Sequence, residues 1–427
     1  MGEWLENSLS QVIATLESGT RPKGGATTES GEVPSLGGEN IIQAGGVSLH
    51  VMKKVPISFY EKMTKGYLQE GDVLINKDGA NTGKLGIFKG FNLKRACINE
   101  HLFLIRSNED IDNSFLYYFL LLESTQEIIK NRISGSAQPG LNSSFVKNFP
   151  FRYPRIKEEQ TTIATILTTI DQAIEKTEQL IAKYERTKTG LMQDLLTRGI
   201  DEHRNIRTEE THEFKDSGLG RIPREWQIGT IGDFCFVTKL AGFEFTNYIR
   251  YIEDGEIIAL RALNIKNEKL VLDDIQRISK KVSDLLTRSK LYAGDILITY
   301  IGAYIGDVLQ IRENDKYHLA PNIAKIVPPK YIVNDFFEMY LRSYPIQIQM
   351  KNVTVTTATP SLTMKQIRNL TVAFPNDEYE QNRIVDAINT VNHTLRSNEE
   401  NYRNLKMLKT GLMQDLLTGK VRVDSLI

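Results

Sequence analysis

Lys188–Thr197 reads KTGLMQDLLT, and Lys409–Thr418 reads KTGLMQDLLT again. Ten consecutive identities do not recur by chance in one chain, so the sequence is an internal duplication at an offset of 409 − 188 = 221. The same offset carries Glu159-Gln160 onto Glu380-Gln381 and Pro139-x-Leu141 onto Pro360-x-Leu362. Nearer the middle of each half the offset drifts to 223: LQEGDVLINKDGANTG at Leu68–Gly83 lies over LYAGDILITYIGAYIG at Leu291–Gly306. Glu3-Trp4 matches Glu225-Trp226 near the start of each copy. Each half is a diverged globular region followed by a better-preserved segment.

The preserved segments are heptad helices. Ile163, Leu167, Ile170, Ile174, Thr177, Ile181, Tyr184, Lys188, Leu191 and Leu195 follow one another in alternating steps of four and three. The second copy repeats the seam as Ile384, Ile388, Val391, Leu395, Asn398, Tyr402, Leu405, Lys409, Leu412 and Leu416. A stripe this narrow wants a partner helix rather than a broad core. The nearest partner is the other copy in the same chain; the plainer alternative is that each helix packs only on its own globular half. Paired antiparallel, the helices form a coiled coil roughly 50 Å long with an internal pseudo-two-fold axis. Thr177 and Asn398, polar at matching seam positions, are expected to fix its register.

The expected architecture is α+β: two similar α/β domains joined by a long antiparallel two-helix coiled coil. The boundaries read as 1–156 for the first domain, 157–198 for the first helical region, 199–377 for a linker and the second domain, and 378–427 for the second helical region and tail. Arg198–Arg221, rich in charge, Thr and Gly, reads as the linker. Asp72–Asn76, Ile257–Leu260 and Asp295–Thr299 read as strands of a largely antiparallel sheet, and Ser114–Ile129 and Phe336–Met350 as one helix in each domain.

Composition bounds the function. The chain has 427 residues, 53 Lys+Arg against 53 Asp+Glu, and two cysteines, Cys97 and Cys235. A net charge of zero counts against a stand-alone, salt-driven DNA binder, so any DNA role rests on local patches or on partners. No apolar run reaches a membrane span and Met1–Ser10 has no secretory pattern, which fits a reducing, cytoplasmic setting. Gly79-Ala-Asn-Thr-Gly83-Lys84 has three residues between its glycines where a phosphate-binding loop has four, and the second copy, Gly302-Ala-Tyr-Ile-Gly306-Asp307, loses the lysine. The repeat therefore preserves a backbone turn. Asn148-Phe-Pro-Phe151 is one substitution from an amino-methyltransferase loop, but no glycine-rich cofactor loop precedes it and the second copy reads Thr371-Val-Ala-Phe374. The six histidines show no metal-ligand spacing. Nothing in the sequence points to catalysis, a cofactor site or a metal site in this chain.

Recognition remains. Two diverged copies on a stiff spacer suit a ligand with two separated sites, and duplex DNA presents equivalent grooves one helical turn apart. Lys77, Asp78, Asn81 and Thr82 face Tyr300, Ile301, Tyr304 and Ile305 in the alignment of the copies, so the two halves would read different bases of an asymmetric target.

This layout resembles the specificity subunits of type I restriction–modification systems. The resemblance rests on Ile222-Pro223-x-Glu225-Trp226, on Gly-Asp-[Val/Ile]-Leu-Ile at 71–75 and 294–298, on Glu-Gln at 159–160 and 380–381, and on Gly-Leu-Met-Gln-Asp-Leu-Leu-Thr at 190–197 and 411–418. Gly419-Lys-Val-Arg-Val423 is similar to the family's ending. It implies two target recognition domains alternating with two conserved helical regions, with two methyltransferase subunits and restriction–translocase subunits as partners. S-adenosylmethionine, ATP and magnesium would then belong to those partners, and this chain would direct adenine methylation and cleavage without catalysing either. A non-DNA coiled-coil scaffold and the specificity part of a related fused restriction system remain alternatives. On this reading the DNA-contacting candidates are Arg21 and Lys23 in an early loop, Lys77, Asn81, Thr82 and Lys84 in the glycine turn, and Gln138 and Asn142 beyond it. In the second copy the candidates are Tyr300, Tyr304, Thr357 and Thr359. The early loop departs from the family's Gly-Thr-Pro: it is Gly19-Thr-Arg-Pro22-Lys23 in the first copy, and the second, around Lys239-Leu-Ala-Gly242, lacks the proline.

Overall fold

The structure, a computed structural model, describes residues 3–27, 31–42, 45–135, 139–267, 269–302, 304–354 and 360–423. They form two compact units, Met1–Gln179 with Glu399–Ile427, and Leu180–Asn398.

In the first unit the sequence Val73-Leu-Ile-Asn76 forms a fully buried strand at the centre of a four-stranded antiparallel sheet. Its neighbours are Leu102–Ser107 on one side and Leu85–Ile87 on the other, and Ile13–Ser18 completes the order on the far side of Leu102–Ser107. A three-stranded sheet places Val33–Leu36 between Lys54–Val55, antiparallel, and Cys97–Ile98, parallel. Trp4–Ser8 pairs with Pro150–Pro154. In the second unit Ile296–Thr299 occupies the corresponding central place, with Ile323–Val327, Val308–Gln310 and Phe236–Lys239 in the same order. Ile257–Leu260 lies between Gln276–Ile278, antiparallel, and Tyr317–Leu319, parallel. Gln227–Thr230 pairs with Thr371–Phe374. The duplication seen in the sequence is thus a duplication of strand order and strand sense.

The preserved Gly-Asp-x-Leu-Ile element explains itself physically. Gly71 and Gly294 have φ of +88° and +97°, a conformation side chains disfavour. Asp72 and Asp295 then accept the backbone N–H groups of Gln69 and Tyr292, closing the turn that launches the strand. Alternate residues of each central strand feed opposite cores, so its first three residues are apolar: Val73 and Ile75 join one buried cluster and Leu74 another.

Two sequence expectations are corrected here. Each stretch expected to be a single helix, Ser114–Ile129 and Phe336–Met350, is split into two short helices. Asn113–Leu121 and Glu123–Asn131 are separated by the extended, buried Leu122. Asn334–Leu341 and Tyr344–Val353 are separated at Ser343, because Pro345 lacks an amide hydrogen and its ring clashes with the preceding turn. The stretch read as a linker is folded as well. Ile200 is 5% exposed and Phe214–Ser217 forms a hairpin with Gly220–Pro223. A few anchors rather than an apolar period hold it, which is why its composition looked like a loop.

The long helices span Lys157–Arg198 and Glu378–Leu416. Between Glu175 and Gly190 the only unexposed positions are Thr177, Ile181, Tyr184 and Lys188; between Arg396 and Gly411 they are Asn398, Tyr402, Leu405 and Lys409. Burial therefore follows the four-three spacing of the seam. Within the first unit the pairing is antiparallel: Glu159 meets Arg422, Ile163 and Leu167 share a cluster with Leu416 and Leu417, and Asp171 Oδ1 lies 2.6 Å from Lys409 Nζ. In the second unit Leu195 and Leu196 share a cluster with Ile384, Val385 and Ile388. Thr177 and Asn398 each donate to the carbonyl four residues back in their own helix, Ala173 and Thr394. In the first unit the Asp171–Lys409 ion pair joins the two helices. Offset 221 puts Asn392 where the first copy has Asp171, so the repeat does not carry that charge pair.

Among the described residues no helix is long and apolar enough to cross a membrane, and no group of three His, Cys, Asp or Glu side chains is placed to hold a metal ion. Cys97 and Cys235 are free and buried; burial pushes their thiols up to about 11 and about 12, so neither is a ready nucleophile.

Candidate functional site

The strand pairing brings loops that are far apart in sequence to one end of the four-stranded sheet. In the first unit strand Ile13–Ser18 ends beside the start of Leu102–Ser107, with Ser18 opposite Phe103, and Asn76 ends opposite Leu102. The loops leaving or entering at that end are therefore neighbours. Lys77 Nζ donates to Ser18 Oγ at 3.1 Å, and its backbone N–H donates to His101 O at 2.9 Å. Asp78 Oδ1 lies 2.6 Å from His101 Nδ1, and Arg21 Nε donates to Glu100 at 2.9 Å. Glu39 receives Lys53 Nζ at 2.7 Å. Burial works against ionising the Glu39 carboxyl, but Lys53 and a backbone amide outweigh it and hold the group below its ordinary range.

The glycine turn has the same backbone in both copies. Gly79 and Gly83 have φ of +79° and +88°, and Gly302 and Gly306 have +111° and +88°. Gly83 N–H donates to Asn76 O and Gly306 N–H to Thr299 O; Gly79 N–H donates to Pro139 O and Gly302 N–H to Pro360 O. Leu141 N–H donates to Lys77 O, and Leu362 N–H to Tyr300 O. Around this frame the side chains differ. The first unit presents Arg21, Lys53, Lys77, Lys84 and His101 interleaved with carboxylates. The second presents Lys239 stacked 5.0 Å over Tyr300, Lys266 at 5.7 Å over Tyr304, and Arg261 held by Asp274 at 2.8 Å. Tyr251, Arg261, Tyr304 and Asn322 line an open cavity of about 400 Å³.

The candidates from the sequence fall in different places. Arg21 and Lys23 are exposed, as is Asn142, whose side chain caps the short helical turn that follows it. Lys77 and Lys84 are half-buried; Lys84 Nζ bonds Asn81 Oδ1 at 2.6 Å, and Thr82 Oγ1 donates to the carbonyls of Gly79 and Pro139. Asn81 and Thr82 thus shape the turn. Tyr304 is 38% exposed. Tyr300 is a correction: it is 7% exposed and belongs to the core of the second unit, because its strand-end position turns the ring inward between Lys239 and the buried sheet residues. Gln138, Thr357 and Thr359 lie outside the described residues. Sequence reasoning missed Lys53, His101, Arg261, Lys266 and Asn322. The signal was present for Arg261: Leu36-Gly-Gly-Glu-Asn-Ile41 aligns with Leu260-Arg-Ala-Leu-Asn-Ile265 through its leucine, asparagine and isoleucine.

Comparison with known proteins agrees with this architecture. A family model described as the type I restriction modification DNA specificity domain matches residues 1–186 and again 223–407. The chain belongs to the family of type I restriction–modification specificity subunits. It is 23% identical over 364 residues to the type I restriction enzyme MjaVIII specificity subunit of Methanocaldococcus jannaschii, covering 84% of this chain and 81% of that one. To the EcoBI specificity subunit of Escherichia coli it is 25% identical over 339 residues, 77% of this chain and 69% of that one. Among solved structures, the S subunit from M. genitalium superposes with a TM-score of 0.59 at 16% identity, covering 97% and 96% of the two chains. A chain from a study of complex assembly and conformational transition of the type I R-M system gives 0.56 at 16% identity, covering 97% of each. These structural likenesses speak to the fold.

Proposed function

We propose that this chain reads a bipartite, asymmetric DNA sequence and directs adenine methylation, and cleavage, by partner subunits. The observation that carries the reading is one backbone frame built twice, with two different sets of polar side chains at the same sheet end. A duplicated frame with identical loops would read a symmetric site; divergent loops read two different half-sites. The chain acts as a non-catalytic subunit, in the cytoplasm, with two methyltransferase subunits and restriction–translocase subunits. S-adenosylmethionine, ATP and Mg2+ are used by those partners. Zero net charge fits a reader whose partners supply much of the phosphate contact.

The test is co-expression with the methyltransferase subunits, followed by mapping of methylated adenines across the host genome. The expected result is a two-part motif, with no methyl transfer by the chain alone. Exchanging residues 1–156 for the corresponding region of a related subunit should change one half of that motif. A change in both halves, or a wild-type complex without a motif, overturns the reading.

A further inference from the structure

We infer that Arg261 reads a guanine in the half-site of the second unit, from the cavity it shares with Tyr251, Tyr304 and Asn322. The inference rests on the DNA-reading function proposed above and assigns a specific residue and base class to it.

The internal duplication supplies the control. Arg261 and Gly37 occupy the same place in the two copies: each precedes a short 3-10 turn, Ala262–Asn264 and Gly38–Asn40. Asn264 Oδ1 accepts the Arg261 N–H at 3.0 Å, and Asn40 Oδ1 accepts the Gly37 N–H at 2.9 Å. Asn264 Nδ2 then ties down the carbonyls of Val271 and Asp274, as Asn40 Nδ2 ties down those of Ser48 and Val51. The turn is complete in the first unit with no side chain at position 37. The scaffold therefore does not need the guanidinium at 261.

Nor is that guanidinium fully satisfied by the protein. Nη2 donates to the backbone O and the Oδ1 of Asp274, but Nε is buried and has no hydrogen-bond partner among the described residues. A purely structural arginine would be expected to satisfy its buried donors, since leaving one unmade is costly. The cavity beside it, about 400 Å³, is far larger than a packing defect and falls at the small end of ligand sites. It opens between two partly exposed rings, Tyr251 and Tyr304. Its floor includes Asn322, whose φ of +75° is a conformation tolerated mainly by Gly and Asn and often found at binding sites. The equivalent residue in the first copy, His101, faces Asp78 instead.

The chemistry selects the ligand. Pairing with Asp274 neutralises much of the charge of Arg261, which suits it poorly to grip a phosphate. It leaves Nη1, which has no protein acceptor among the described residues, on a guanidinium held in one orientation. The base edge that offers two adjacent acceptors to the N–H groups of such a donor is that of guanine, with N7 and O6 in the major groove. The place is also right: the cavity sits at the sheet end where the glycine turn and the loop entering strand Ile323–Val327 meet, the face on which the polar loops of this unit converge.

The test uses the co-expressed complex and duplex oligonucleotides carrying the motif read from methylated host DNA. Exchange of residues 1–156 first assigns which half belongs to the second unit. Arg261→Gly reproduces what the first copy already tolerates, and Arg261→Lys keeps charge while removing the fork. Both complexes should assemble and melt like wild type. Both should relax one G·C position in the second unit's half-site by about tenfold to hundredfold and leave the other half unchanged. An unchanged motif overturns the inference. So does a half-site without a G·C pair, or a uniform weakening on all duplexes with a shallower salt dependence, which would mark a phosphate contact. A wild-type complex that methylates no two-part motif sinks the underlying function as well, and that arm separates the two failures.

Discussion

Arg207 and Glu380, 173 residues apart in the chain, form a buried two-pronged ion pair in the second unit, with Nη2 donating to Oε2 at 2.9 Å and Nη1 to Oε1. Their side chains are 9% and 3% exposed. The arginine follows the end of the first long helix and the glutamate opens the second. In the first unit the roles are exchanged: Arg422, beyond the end of the second helix, grips Glu159 at the start of the first, with distances of 2.6 and 2.7 Å. A tryptophan accompanies each glutamate. Trp226 Nε1 approaches Glu380 at 3.4 Å, and Arg422 stacks 6.0 Å from the Trp4 ring. The glutamates Glu159 and Glu380 and the tryptophans Trp4 and Trp226, repeated in the sequence, are thus parts of one lock, used once in each unit.

Removing one member of that lock strands a charge. Arg207→Ala should destabilise the second unit by about 3–5 kcal/mol, whereas Arg207→Met combined with Glu380→Gln should recover most of the loss. Chemical denaturation monitored by Trp226 fluorescence measures it. Equal stability of Arg207→Ala and wild type would remove the lock from the account.

The seam can be tested in each unit. Ile170 is 6% exposed and Leu191 half-buried. Ile170→Asp and Leu191→Asp place unpaired carboxylates on the covered stripe, a penalty of several kcal/mol, and should abolish the helix pairing and co-purification with methyltransferase subunits. Normal melting and normal assembly of both variants would contradict the coiled-coil reading.

Stability of the second unit should fall in mild acid because of His318. The ring is fully buried, with Nδ1 3.1 Å from Ser283 Oγ. Burial pushes the imidazole down to about 4; the Lys325 and Lys290 ammonium groups add to this and Glu244 opposes it. The unfolded chain takes up this proton near pH 6.5, the folded one only near 4. The contribution is therefore fully present above about pH 6.5 and is lost as pH falls towards 4, up to about 3 kcal/mol. His318→Asn should flatten the curve between pH 4 and 6.5, as read from urea midpoints; an unchanged slope would assign the acid sensitivity elsewhere.

Spacing between half-sites should follow helix length. If each unit reads 3–4 base pairs and the two centres lie about one turn apart, the unread spacer is roughly 5–8 base pairs. Inserting four residues after Thr187 adds about 6 Å of helix, or about one to two base-pair steps, along with some rotation and a stutter in the seam. The methylated motif of a strain carrying the insertion should show a longer spacer with unchanged half-site bases. An unchanged spacer in a variant that still methylates would mean that the partners set the distance.

Periodic and local signals determined much of this protein from sequence alone. The ten-residue repeat, the four-three seam and the Gly-Asp-x-Leu-Ile element each depend on residues within one helix or one turn, where spacing fixes which side chains share a face. The glycine turn was legible for the same reason: four glycines at matching positions mean a backbone conformation that other residues disfavour. Only the tertiary structure decided what those elements surround. Tyr300 reads as a DNA-contacting candidate in the sequence and is core, because burial at a strand end depends on what packs above it. Arg207 lay in a stretch that resembled a linker, and its partner is 173 residues away. Arg261 became visible as a site residue once strands Ile257–Leu260, Ile296–Thr299 and Ile323–Val327 were in register, because pairing between distant strands places their loops at one sheet end. Such pairings leave no local period in the sequence. The duplication shows that there are two units of one design, and the folded loops decide which side chains each one presents.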